Sequence, residues 1–220
     1  MRIALIHALA HSVEPINTAL GRDWPEAQRM NLLDDSLSAD LAANGRGLDA
    51  TMHERFARLA QYAVDCGSNA ILFTCSAFGP CIEAVARQHA PMVVLKPNEA
   101  MIDDAVAHGG VIGLIASFGP TLQSMPPEFP RGAVLHTALA DGALEALNAG
   151  DGARHDALVC DAAERLKHQG ATIIALSQFS MARAREAVAA RTGLPVLTTV
   201  DSAVRALRTR ADSGRPHPSR

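Results

Sequence analysis

Of the four cysteines in the chain, Cys66, Cys75, Cys81 and Cys160, only Cys75 sits where a thiol becomes chemically useful. It follows the apolar run 70–74, which reads as a buried strand, and precedes helical spacing over 78–89. A thiol between a strand end and a helix start faces unpaired backbone N–H groups and the positive end of the helix dipole, and both favour thiolate. The same N–H groups can hold a carboxylate beside the sulfur, so one turn supplies an anion site and an activated base. The competing reading of Cys75 is a small buried hydrophobe. Cys66, Cys81 and Cys160 fall within helical runs and read as core or surface thiols. The four show neither CxxC pairs nor His ligands at zinc spacing, so no metal is expected, and in a reducing cytosol they are free thiols.

The elements that must position Cys75 are short aliphatic runs at 3–6, 70–74, 92–95, 111–115, 172–176 and 196–198, separated by helical spacing over 50–66, 78–89, 98–107, 151–168 and 181–191. Alternation of this kind predicts an α/β chain with βαβ units and a mostly parallel sheet. Gly67 and Gly170 fall where helix C-caps belong. Two segments resemble each other, Asn69-Ala-Ile-Leu-Phe-Thr-Cys75-Ser and Gly170-Ala-Thr-Ile-Ile-Ala-Leu-Ser177-Gln, which suggests two related lobes. Cys75, Ser76, Ser177 and Gln178 then stand at carboxyl ends of strands, where open α/β sheets bind ligands. A net charge of −3 with acidic and basic residues mixed leaves no basic stripe for a nucleic acid. The N-terminal apolar run is too short for a signal sequence and no segment reaches the ~20 apolar residues that cross a bilayer. A cytoplasmic chain acting on small molecules, without a membrane or nucleic-acid partner, is expected.

The run Ile71-Leu-Phe-Thr-Cys75-Ser-Ala-Phe-Gly resembles the first cysteine motif of the aspartate/glutamate racemase superfamily, which includes hydantoin racemases, maleate isomerases and arylmalonate decarboxylases. Val111-Ile-Gly-Leu-Ile-Ala-Ser117 is similar to the strand and Thr/Ser loop opening the family's second lobe. Ile173-Ile-Ala-Leu-Ser177-Gln-Phe-Ser lies where the family has its second cysteine motif, and Gly193-Leu-Pro-Val-Leu-Thr-Thr-Val looks like a final strand returning to the first lobe. The resemblance implies two pseudo-symmetric flavodoxin-like lobes with an interlobe cleft. The expected division is 1–97 plus 195–211 for the first lobe, 98–194 for the second and 212–220 for a loose tail. It also implies a cofactor-independent racemase or isomerase that moves a proton at the carbon α to a carboxylate, with Cys75 and Ser177 as the catalytic pair. His7, Ser76, Ala77, Ser117, Phe118 and Gln178 are the expected substrate-binding residues, and a homodimer is the expected assembly.

Ser177 stands where a two-thiol racemase carries a cysteine, and a hydroxyl is far less acidic than a thiol, whose ordinary pKa is about 8.5. A one-thiol decarboxylase of arylmalonate type and a catalytically silent acid-binding protein are therefore kept as alternatives. His7, at the end of the first strand, could orient or deprotonate Cys75, and His11 follows in the same loop; both could equally be solvated loop residues. Lys96 could add positive charge for a second carboxylate, or be a surface lysine. In Asn31-Leu-Leu-Asp34-Asp35-Ser36, Asp35 or Ser36 is expected to cap a helix or line the cleft mouth. Thr121 is a candidate cap of the helix entered at Phe118-Gly-Pro.

Overall fold

The computed structural model describes residues 1–213 of the chain, which form two compact units. The first, Met1–Pro97, is built from β1 (Arg2–His7), α1 (Val13–Asp23), β2 (Gln28–Leu33), α2 (Ser36–Asn44), α3 (Ala50–Asp65), β3 (Ala70–Phe73), α4 (Gly79–Gln88) and β4 (Val93–Leu95). Its sheet has the order β2-β1-β3-β4, and every pairing is parallel. The central strands β1 and β3 are continuous apolar runs because helices cover both faces of a parallel sheet. β2 lies at an edge and alternates exposed with half-buried residues, so it lacks the aliphatic run that marks the others.

The second unit, Asn98–Ser202, repeats the plan with α5 (Glu99–His108), β5 (Val111–Ala116), α6 (Gly119–Ser124), β6 (Val134–Leu139), α7 (Ala143–Asn148), α8 (Gly152–His168), β7 (Ile173–Leu176), α9 (Arg185–Thr192) and β8 (Val196–Thr198). The order is β6-β5-β7-β8, again all parallel. Side chains alternate across this sheet. Ile174 and Leu176 join Val159, Cys160 and Leu166 on one face, while Ile173 and Ala175 join Met101, Ile102 and Ala105 on the other. Gly113 on β5 lets α8 approach, since a Cβ there would meet Ile174 Cδ1 at 3.0 Å, Ala171 Cβ at 3.1 Å and Leu166 Cβ at 3.2 Å.

Two boundaries differ from the sequence expectation. The strand at 196–198 does not return to the first sheet: β8 pairs with β7, Ala175 opposite Leu197, so the second unit runs on to Ser202. An aliphatic run shows that a strand exists but not which neighbour its backbone will bond. The chain re-enters the first unit at Ala203, inside α10 (Thr199–Ser213). Asp212 and Ser213, expected in a loose tail, end that helix, and residues 214–220 of the expected tail lie outside the described residues. No described helix is long and apolar enough to cross a membrane.

Candidate active site

The turn after β3 is fixed by aromatic packing on both sides of Cys75. Phe56 of α3, 1% exposed, lies against Phe73 at the end of β3 with ring centroids 5.2 Å apart and against Phe78 at 4.9 Å. Cys75 leaves the strand in an extended conformation (φ −118°, ψ 121°) and opens a 3₁₀ turn, Ser76–Phe78, that leads into α4. Cys75 is half-buried as a residue, whereas Ser76 and Ala77 are buried.

Burial pushes the Cys75 thiol up, and the Ala77 backbone N–H and the Ser38 hydroxyl, which favour thiolate, do not outweigh it. The resting group is therefore a thiol, contrary to the expected thiolate. Three residues of 3₁₀ turn separate Cys75 from α4, and the dipole of a helix acts mainly within its first turn. Ser38 was not legible as a site residue. Its hydroxyl donates to the Ala8 carbonyl at 2.9 Å and lies 4.0 Å from Cys75 Sγ. Either atom of that pair can be the donor: the thiol while the Ser38 hydroxyl donates to Ala8, and the hydroxyl once the sulfur has lost its proton. The helix carrying Ser38 is anchored through Arg55 of α3, which donates to Asp34 at 2.8 Å, Asp40 at 2.6 Å and the Ser36 hydroxyl at 2.6 Å. Asp35 occupies the N-cap of α2 without a side-chain bond, and the Asp34 carboxylate accepts from the Ser36 backbone and hydroxyl instead.

His7 does not reach the thiol. Its ring is fully buried, Nδ1 pairs with Thr74 Oγ1 at 2.8 Å and Nε2 with Asn31 Oδ1 at 3.0 Å, so both nitrogens are engaged. Asn31 Oδ1 also accepts from Asn17 Nδ2 at 2.8 Å. As Asn31 Oδ1 is an acceptor, Nε2 carries the ring proton and Nδ1 accepts from the Thr74 hydroxyl. Burial holds the His7 pKa below the usual imidazole range, against the opposing effect of the Asn31 bond. The imidazole thus braces the residue before Cys75. His11 is half-buried in the short 3₁₀ turn Ala10–Ser12. Lys96 pairs with Glu83 at 2.6 Å. Cys81 and Cys160 are core thiols, and burial pushes Cys81 up to about 12.

In the second unit the turn after β7 meets the turn after β5. Gln178 Oε1 accepts from the Ser117 N–H at 2.5 Å, the Ser117 hydroxyl at 3.1 Å and the Phe118 N–H at 3.2 Å. Ser117 is buried and Phe118 half-buried at the N-cap of α6, while Thr121, expected as the cap, lies inside that helix. Ser177 is fully buried, and its hydroxyl donates to the Ile115 carbonyl at 2.7 Å.

The registers show which residues of the two units correspond. Ile6 pairs with Phe73 and the next N–H, that of Thr74, returns to the Ile6 carbonyl at 3.0 Å; Ile115 pairs with Leu176 and the next N–H, that of Ser177, returns to the Ile115 carbonyl at 3.0 Å. Ser177 is therefore the counterpart of Thr74. The counterpart of Cys75 is Gln178, which is also extended (φ −131°, ψ 145°) and also opens a 3₁₀ turn, Phe179–Ala184. The correspondence expected from sequence is thus displaced by one residue. Among the described residues no group of three or more His, Cys, Asp or Glu side chains could hold a metal ion.

Two repeated parallel sheets, with a cysteine-bearing turn after the third strand, define an α/β protein of the racemase type, and the chain belongs to the Asp/Glu/hydantoin racemase family, whose model matches residues 10–207. Among solved structures it is similar to allantoin racemase from Pseudomonas fluorescens, with a TM-score of 0.74, 17% identity, and 99% of this chain and 94% of that one covered. It is also similar to glutamate racemase from Francisella tularensis in complex with D-glutamate, with a TM-score of 0.76, 14% identity, and 100% and 84% covered. A cysteine-for-glycine variant of arylmalonate decarboxylase superposes with a TM-score of 0.66 at 18% identity, with 100% and 97% covered. At these identities the likeness lies in the fold. No curated protein matches the chain in sequence.

Proposed function

We propose that the chain catalyses cofactor-independent proton transfer at the carbon α to a carboxylate of a small amino acid or carboxylic acid, as a racemase or isomerase, with Cys75 as the acid/base. The observation that carries this reading is the surroundings of the Cys75 sulfur. It stands at a strand end on a half-buried residue, with the Ala77 N–H and the Ser38 hydroxyl as its polar neighbours. To act as a base the thiol first loses its proton, and those two donors then stabilise the thiolate. The thiolate takes the α-proton, the C–H electron pair passes into the carboxylate as an enediolate, and the new S–H later returns a proton to carbon. Ser177, named from sequence as the second catalytic residue, holds its strand end through the Ile115 carbonyl.

A second reading, a one-thiol lyase, is favoured by the raised pKa of Cys75. Loss of carbon dioxide from a malonate-type acid leaves the same enediolate, and a resting thiol is already the protonated state needed to quench it. Proton NMR in deuterium oxide separates these readings when wild type and Cys75→Ala are supplied with glutamate, aspartate, allantoin, hydantoins and substituted malonates. Loss of the α-proton signal with wild type alone supports proton transfer, and carbon dioxide release from a malonate supports the lyase. Exchange that persists undiminished in Cys75→Ala would overturn both.

A further inference from the structure

We infer that Arg55 is a positioning residue for Cys75: from α3 it fixes the first turns of α2, and with them the Ser38 hydroxyl that faces the sulfur. The inference concerns the thiol itself, and its bearing on catalysis rests on the proton transfer through Cys75 proposed above. Packing alone holds α2 weakly. Leu37 is fully buried, but Ser36, Asp40, Ala42 and Ala43 are exposed, and Ser38 and Leu41 are only half-buried. A nine-residue helix is also too short to be stable by itself, so its place depends on what ties it down.

Arg55 is that tie. Its guanidinium donates to Asp34 just before α2, to the Ser36 hydroxyl in the first turn and to Asp40 in the second. These acceptors stand on either side of Ser38 in sequence, so one planar fork sets both the height and the rotation of the turn that carries it. The other end of the tie is firm. α3 is a 16-residue helix capped by Asp49, whose carboxylate accepts from the Met52 N–H at 3.0 Å, and Phe56, next to Arg55, is the ring that packs on Phe73 and Phe78. α3 therefore braces the Cys75 turn through Phe56 and the sulfur's polar neighbour through Arg55. The charge of Arg55 is met by Asp34 and Asp40, and the polar groups acting on the thiol are the Ala77 N–H and the Ser38 hydroxyl, so Arg55 reaches the sulfur by way of Ser38.

A double-mutant cycle tests this without turnover. The pH profile of Cys75 alkylation by iodoacetamide, followed by mass spectrometry of its peptide, is compared in wild type, Arg55→Gln, Ser38→Ala and the double variant. The plateau of each profile reports access to the sulfur, and the midpoint reports its proton. Arg55→Gln should move the midpoint to the alkaline side, as Ser38→Ala does, and slow alkylation below the midpoint by about 2- to 10-fold, the range that one hydrogen bond commands. In the Ser38→Ala background the same substitution should move the midpoint no further.

An unmoved midpoint in folded Arg55→Gln, or an equal move with and without the Ser38 hydroxyl, would overturn the inference. Arg55→Lys decides the matter should Arg55→Gln fail to fold, because it keeps the charge but cannot span three acceptors. Its midpoint should lie between those of wild type and Ser38→Ala, and a wild-type midpoint there would equally overturn the role. Failure of every substrate to exchange, alongside the expected midpoints, would count against the proposed reaction and leave the role of Arg55 standing.

Discussion

Replacing Thr74 with Val tests whether His7 serves the backbone beneath Cys75 or the thiol itself. Val keeps the shape of Thr but removes the hydroxyl, and His7 Nδ1 loses its 2.8 Å partner in a place where His7 is 0% and Thr74 2% exposed. Leaving a buried acceptor unsatisfied costs about 1–3 kcal/mol, whereas removing both partners of a buried pair for apolar groups can be nearly neutral. Thr74→Val should therefore destabilise the first unit by that amount in wild type and by clearly less in a His7→Phe background. Trp24, the single tryptophan, lies in the first unit, so its fluorescence during urea unfolding reports that unit.

The same experiment has a pH signature. Because the folded pKa of His7 lies below its ordinary value, the unfolded chain binds more protons between the two, and stability rises with pH there. The contribution is complete above the unfolded value of about 6.5 and is lost as pH falls through the folded value. His7→Phe should remove this component. If the four proteins of the cycle are additive within about 0.5 kcal/mol, and His7→Phe leaves the acid branch unchanged, the network argument fails.

Ser38→Ala removes one of the two groups favouring Cys75 thiolate, so the pH profile of Cys75 alkylation, read by mass spectrometry of its peptide, should move further to the alkaline side; an unmoved profile would mean that the 4.0 Å contact has no electrostatic effect. Phe56→Ala opens a cavity under both ends of the Cys75 turn and should cost about 3–5 kcal/mol in Trp24-detected unfolding, with a smaller loss showing that the turn collapses onto the gap. Gly113→Val pushes α8 off β5 and should cost about 1–3 kcal/mol in the second unit, read by amide hydrogen exchange along α8.

What the sequence made legible, and what it hid, follows from which interactions are local. β1, β3, β5 and β7 could be read because a strand covered on both faces must be apolar throughout, and that demand is written in consecutive residues. β2 and β6 were missed because an edge strand half open to water need not be apolar at every position. The partner of β8 was misassigned because pairing is decided by backbone neighbours distant in sequence. The site shows the same division at finer scale. The placement of Cys75 between strand and helix was readable from its own segment. The protonation of its thiol was not, since burial outweighs the hydrogen bonds from Ala77 and Ser38 that favour thiolate. Nor could one sequence choose between Ser177 and Gln178, because adjacent residues in an extended segment point to opposite sides and only the register with β5 settles which side each takes. That one-residue difference separates a hydroxyl spent on the Ile115 carbonyl from a carboxamide that closes the Ser117–Phe118 turn.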